Sequence, residues 1–109
     1  IPCVITAMAD EFGGEIPVGP FAIIGDESIG RGIVATLEHH RSRAVLMANH
    51  GLFAVSKTPK DVLHVAQLIE RTAAIIHGAR VLGEVVPLPE AVNQQFSGYY
   101  RYGRTGSFD

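Results

Sequence analysis

One histidine of this chain directly follows an apolar segment, in the tripeptide Asn49-His50-Gly51 after residues 44–48. Metal ligands and catalytic imidazoles often occupy such a position, at the exit of a buried strand. A zinc ion that performs chemistry usually takes three protein ligands, yet the chain has no His-x-His, His-Glu-x-x-His or Cys-x-x-Cys pattern. His50 is therefore either a turn histidine bonded to a nearby carbonyl group or one ligand of a site whose other ligands lie outside these residues.

Two carboxylates, Asp10 and Glu11, stand between a predicted buried strand and the glycine pair at 13–14. A carboxylate held at the mouth of a cleft can act as a general acid or base. The alternative is a solvated acid in a loop, which is the commoner situation.

The last eleven residues hold three tyrosines, Tyr99, Tyr100 and Tyr102, with Arg101 and Arg104 between and after them. This segment has no apolar periodicity, so we expect it to need a partner surface in order to be ordered. Tyrosine with arginine suits a protein interface as well as an anionic substrate. Interface packing is the expectation for Tyr99 and Tyr100.

The other histidines are weaker candidates for a metal. His39 and His40 are adjacent on a predicted helix and point in different directions, so they do not readily share an ion. His64 and His77 lie near the polar margin of the long predicted helix, and we expect surface or interface contacts for both. The glycines of segment 30–32 do not form a phosphate-binding loop, because neither a Gly-x-Gly-x-x-Gly nor a Walker pattern is present.

Composition narrows the class of protein. The 109 residues are 47% hydrophobic and 18% charged, with a formal net charge of -2, which suits one globular unit and argues against a nucleic-acid binder. The apolar runs are too short to span a membrane. The single cysteine, Cys3, cannot form an internal disulfide and fits a reducing compartment, so the expected location is the cytoplasm.

Hydrophobic periodicity and turn residues predict alternating strands and helices, which indicates an α/β fold with helices packed on a sheet. The first predicted elements are a strand over 3–7, a loop over 10–19 and a brief apolar run over 21–24. A helix follows, which is capped by Asp26, begins at about Glu27 and ends at His39 or His40. The remaining elements are strands over 44–48 and 52–55, a long helix from Pro59 to about Gly83, and a short helix from Glu90 toward Tyr99. The start of the long helix is the clearest signal, because a capping Thr58 precedes a proline at the first helical position.

The chain begins with Ile-Pro-Cys-Val, inside a predicted strand, and does not resemble a signal peptide. The predicted strands are too few to complete a sheet. We therefore expect residues 1–109 to be the C-terminal part of one larger domain, without its N-terminal half.

The order of motifs resembles the second half of the class II aldolase/adducin family. The motifs are Ile1-Pro2, the segment 9–17 with its Ala-Asp pair and Ile-Pro step, the segment 48–51, a long helix, and Tyr102-Gly103. Within that family, segment 9–17 and the Tyr-Gly end are most similar to the L-ribulose-5-phosphate 4-epimerases. The resemblance implies a three-layer α/β/α fold around a central, mostly antiparallel sheet, of which this chain would supply the C-terminal part.

The same resemblance implies a set of functional residues. His50 would be the last of three histidines that hold zinc or another divalent metal, and the other two would form a His-x-His pair upstream of Ile1. Asp10 and Tyr102 would correspond to the acid/base residues, brought together from neighbouring subunits of a homotetramer. The implied partner is a small-molecule sugar phosphate, with no nucleic acid and no membrane.

The implied reaction is the interconversion of L-ribulose 5-phosphate and D-xylulose 5-phosphate by retro-aldol cleavage and aldol addition to the other face of the aldehyde. A bound dication would stabilise the developing oxyanion, and Asp10 and Tyr102 would serve the two faces. Two alternatives stay open: a sugar-phosphate aldolase of the same family, of the fuculose-phosphate type, and a noncatalytic, adducin-like assembly module that has lost the metal.

Overall fold

A computed structural model describes residues 1–97 of the chain. The elements are, in order, α1 (Thr6–Phe12), β1 (Val18–Gly19), α2 (Ser28–Leu37), β2 (Ala44–Met47), β3 (Gly51–Ala54), α3 (Pro59–Leu82) and α4 (Glu90–Phe96). Strands alternate with helices as the periodicity of the sequence predicts. Within residues 1–97, no helix is long and apolar enough to cross a membrane.

The three strands form one mixed sheet in the order β1-β2-β3. β1 runs parallel to β2 with Val18 opposite Leu46, and β2 runs antiparallel to β3 with Val45 opposite Phe53. β2 is thus the central strand. Its apolar composition follows from this position, because both faces of a central strand are covered when helices pack on the two sides.

Helices cover both faces of this sheet, which gives three layers. Successive side chains of a strand point to opposite faces. Ala44 belongs to the main core, which also contains residues of α1 and α3, and Leu46 packs against it. Met47 faces the other way, toward α2, where only a glycine, Gly32, leaves room for its methyl group. The α/β/α fold class predicted from the sequence is confirmed for the part of the chain that is described.

The long helix α3 begins as predicted. The Thr58 side chain accepts a hydrogen bond from the backbone N–H of Asp61 at 3.1 Å, and Pro59 occupies the first turn. Gly83 ends the helix. Val65, Ile69 and their neighbours a turn apart form the buried stripe, so α3 packs its apolar side into the core.

The predicted strand over residues 3–7 is wrong, because the helix α1 begins at Thr6. Short apolar runs do not distinguish a strand from a buried helix, and here Ala7, Met8 and Ala9 favour the helix. Met8 and Phe12, four residues apart, are both fully buried. That spacing fits one face of a helix and places both side chains in the core.

Several predicted boundaries also move. The predicted loop over 10–19 contains the end of α1 and the strand β1, and the apolar run 21–24 forms no regular element. Glu27, not Asp26, occupies the N-cap of α2, while the Asp26 carboxylate accepts a hydrogen bond from the N–H of Ser28 at 2.6 Å. α2 ends at Leu37, and α4 ends at Phe96 within the described residues.

Candidate functional site

The turn between β2 and β3 presents His50. Residues 48–50 connect the two strands, and the N–H of His50 bonds the carbonyl of Met47 at 3.0 Å. Asn49 has a left-handed backbone, φ 61, and Gly51 has φ 137. Asparagine tolerates the first conformation and glycine the second, so Asn-His-Gly fits a tight hairpin turn with the histidine at its exit.

The loop that follows β1 fixes the ring of His50. The Nε2 of His50 donates a hydrogen bond to the carbonyl of Ala22. The ring of Phe21 stacks on the imidazole ring, with the two ring centroids 5.6 Å apart and the two ring planes inclined by 11°. A carbonyl oxygen can only accept, so Nε2 carries the hydrogen and the lone pair of the neutral imidazole lies on Nδ1. Histidines that bind metals show the same division, with one nitrogen on a carbonyl and the other on the ion.

The described residues contain one candidate metal ligand, His50, and not a whole metal site. Within residues 1–97, no three His, Cys, Asp or Glu side chains converge on a common point. His50 therefore fits the role of a single ligand by its tautomer, and it also fits the simpler description of a turn histidine bonded to a carbonyl. Further ligands of an ion would have to come from outside the described residues.

Asp10 and His50 lie toward opposite ends of β2. Asp10 is half-buried in the last turn of α1, next to Glu11, which pairs with Arg43 just before β2. His50 follows the other end of the strand. At about 3.3 Å per residue, the backbone from Arg43 to Met47 alone spans roughly 13 Å, so the Arg43–Glu11 pair and His50 lie at the two ends of this strand.

A network of charged groups at the amino end of β2 was not predicted from the sequence. Arg43 pairs with the Glu11 carboxylate and donates to Ser56 Oγ at 3.3 Å, and Ser56 in turn donates to Asp61 at 3.1 Å. His64 on α3 lies 3.9 Å from Glu11. The only available signal was the alternation of Arg41 and Arg43 before an apolar strand, which puts both arginines on one side of an extended segment.

A cleft of about 610 Å³ opens between the end of α1, the segment after α2 and the start of α4. Arg41 crosses it to Glu90, with Nη2 and Oε1 2.6 Å apart, and this pairing lowers the pKa of the Glu90 carboxyl. His39 and His40 also line the cleft. His40 donates through Nδ1 to the Thr36 carbonyl at 2.8 Å, so one of its nitrogens is engaged in the helix end.

Comparison with known families decides the identity of the domain. The family described as class II aldolase and adducin N-terminal domain matches residues 1–77. The chain belongs to this family. It includes aldolases and epimerases, which act on sugar phosphates and commonly use a divalent metal. No curated protein shows significant similarity to the chain.

The family match covers α1, the whole sheet and most of α3, so Asp10 and His50 both lie inside it. The third predicted functional residue, Tyr102, lies outside the described residues, as do Tyr99, Tyr100 and the two arginines beside them. The class II aldolase and adducin domain therefore contains two of the three side chains that the sequence singles out.

Proposed function

We propose that the protein is a metal-dependent sugar-phosphate epimerase that interconverts L-ribulose 5-phosphate and D-xylulose 5-phosphate by retro-aldol and aldol steps. The observation that supports it most is the state of the His50 ring, whose Nε2 is bound to the Ala22 carbonyl and whose face is covered by Phe21. This arrangement leaves Nδ1 as a fixed donor to a cation. Membership of the family adds the reaction class.

His50 would be one ligand of a zinc or other divalent ion, together with histidines outside the described residues. A divalent ion in such a site stabilises the negative charge that develops on a carbonyl oxygen when a carbon-carbon bond beside it breaks. The ring contributes position as well as affinity. Its hydrogen bond and its stack remove two rotational freedoms before the ion arrives, which reduces the entropy lost on binding.

Asp10 and Tyr102 would move the protons. One side chain takes the proton from the hydroxyl group of the substrate as the carbon-carbon bond breaks, and the other returns a proton to the oxygen formed by attack on the opposite face of the aldehyde. The separation of Asp10 from His50 within one copy favours a site that takes its residues from two subunits of a homotetramer. Inversion requires proton donors on two sides, and two subunits can supply them.

A matched pair of histidine variants tests this function in the full-length protein. His50→Gln should lose bound metal and lower the epimerase rate by at least about a hundredfold, because the loss of one ligand weakens both binding and charge stabilisation. His77→Gln changes an exposed histidine on α3 and should leave the metal content and the epimerase rate unchanged. Metal content by mass spectrometry and interconversion of the two pentulose phosphates are measured. Full activity in His50→Gln would contradict the proposal.

The same assay separates the two alternatives. An aldolase of this family would release a free aldehyde from the sugar phosphate, whereas an epimerase keeps the aldehyde bound until the second attack. An adducin-like module would be folded and free of metal. Release of the aldehyde would replace the epimerase assignment with the aldolase. A stable protein free of metal would replace it with the adducin-like module.

A further inference from the structure

The helix α1, which carries Asp10, has few stabilising features of its own. It is seven residues long, its N-cap Ile5 provides no side-chain hydrogen bond, and no basic side chain of the helix itself stands in its last turn. Helices of this length are not stable in isolation. The position of α1, and with it the direction of the Asp10 carboxylate, must therefore be set by contacts with the rest of the fold.

Two arginines from the segment before β2 contact the C-terminal end of α1. Arg43 Nε donates to the carbonyl of Glu11 at 3.4 Å, and Arg41 Nε donates to the carbonyl of Gly13 at 2.9 Å. The last carbonyl groups of a helix have no partner within the helix and carry partial negative charge. The two guanidinium groups supply both the missing hydrogen bonds and the opposite charge.

Arg43 makes the more extensive of these contacts. Besides the Glu11 carbonyl it holds the Glu11 carboxylate, and its third nitrogen donates to Ser56 Oγ, which bonds Asp61 in the first turn of α3. The Arg43 and Glu11 side chains are only 18% and 19% exposed. A planar guanidinium that bonds several groups at fixed angles determines orientation as well as distance, so α1 is oriented against α3 and the segment that precedes it.

We propose that Arg43 is a positioning residue for Asp10, which acts by fixing the last turn of α1 through Glu11. The proposal rests on the acid/base role of Asp10 in the proposed function. Glu11 is the next residue after Asp10, so a rotation of the helix end that breaks the Glu11 pair also redirects the Asp10 carboxylate. In the proposed function, Arg43 itself touches neither His50 nor the substrate.

Hydrogen exchange in the full-length protein tests whether Arg43 holds α1 in place. Arg43→Gln should speed amide exchange over residues 6–13 by at least about tenfold, because the local opening of α1 becomes easier. Arg43→Lys keeps the charge and loses the planar group, so it should restore protection only in part. Arg31→Gln breaks an exposed pair with Glu27 on α2 and is the control that should change nothing there. Unchanged exchange in Arg43→Gln would overturn the proposal.

A double-mutant cycle tests the catalytic half. Arg43→Gln should lower kcat roughly tenfold with little change in KM, since misplacing an acid/base group affects the chemical step. In the Asp10→Asn background the same change should alter kcat by less than about twofold, because the group that it positions is already gone. A general loss of stability would instead lower kcat equally in both backgrounds, and that result would overturn the positioning role.

The two tests also separate the proposal from the function on which it rests. If Asp10→Asn keeps full activity, the acid/base role of Asp10 is wrong and Arg43 has no catalytic group to position. The exchange measurement would still show whether Arg43 holds α1. If Asp10→Asn strongly lowers kcat but leaves a measurable residual rate, and Arg43→Gln lowers kcat by the same factor in both backgrounds, only the positioning role fails.

Discussion

Gly13 ends α1 with a left-handed backbone, φ 68, and its N–H bonds the Ala9 carbonyl. A side chain at this position would meet Arg41 Cβ at 2.6 Å and Ser97 Oγ at 2.8 Å. Both the backbone angle and the packing therefore require glycine. The residue lets α1 end where Arg41 reaches it, so a single backbone position determines how the helix meets the strand.

Replacing Gly13 by alanine should destabilise the protein by about 1 to 3 kcal/mol, because the left-handed conformation and the close contacts both become strained. Gly78→Ala is the matched control. Gly78 lies inside α3 with open space where a side chain would go, so alanine there should stabilise by roughly 0.5 to 1 kcal/mol. Urea denaturation measures both, and a neutral Gly13→Ala would contradict the packing argument.

The last two described helices, α3 and α4, are held by different kinds of interaction. α3 is fixed by its own capping sequence and by a buried apolar stripe, whereas the short helix α4 packs on α1 and is tied to Arg41 through Glu90. Local signals therefore suffice for α3. The short helices depend on groups that are distant in the sequence.

Thr58→Ala should lower the free energy of unfolding by about 1 kcal/mol, because the N–H of Asp61 loses its hydrogen-bond acceptor at the start of α3. The neighbouring Lys57 is exposed, and Lys57→Ala should change the free energy of unfolding by less than about 0.5 kcal/mol. Equal effects of the two substitutions in thermal denaturation would show that the cap contributes nothing.

The pair between Arg41 and Glu90 should make the stability depend on pH. Arg41 lowers the pKa of Glu90 from its ordinary value of 4.5, so the stabilising contribution is present above 4.5 and is lost as pH falls through the lower value in the folded protein. Glu90→Gln should therefore be less stable than wild type near neutral pH, with a difference that shrinks in acid. Glu84→Gln, a change at an exposed residue, should show no such trend in urea titrations.

The helix α1 and the turn at His50 lie toward opposite ends of β2. Arg43 precedes β2 and contacts α1, while His50 follows β2 and contacts the loop after β1. In the proposed function, the Asp10 and the His50 of one site come from two copies of the chain. Closed symmetric oligomers allow every subunit to contribute to a site in the same way.

Mixing two variants of low activity tests this assembly. Asp10→Asn and His50→Gln subunits, unfolded and refolded together in equal amounts, should recover about a quarter of the wild-type activity, because each shared site has that chance of combining two intact residues. Each variant refolded alone is the control and should show only its low residual activity. No recovery in the mixture would indicate that both residues serve the same site within one subunit, or that they do not cooperate.

The family, the alternation of strands and helices, and α3 with both of its ends were predictable from the sequence. Each depends on signals within a few residues of one another, such as Thr58 before Pro59 or the apolar run of β2. Reliance on local signals also produced the error at residues 3–7, because a short apolar run has the same pattern in a strand as in a buried helix. Burial of Met8 and Phe12 in the core decided between them.

By itself the sequence identified the candidates for chemistry, which remain predictions: Asp10, His50 and Tyr102, each of a suitable type in a recognisable motif. Only the tertiary structure decided what surrounds the first two. The folded chain brings the Ala22 carbonyl within hydrogen-bonding distance of His50. It also pairs Glu11, the neighbour of Asp10, with Arg43, which is 32 residues away in the sequence. Contacts between residues so far apart depend on how the elements pack, and no local pattern of residues encodes them.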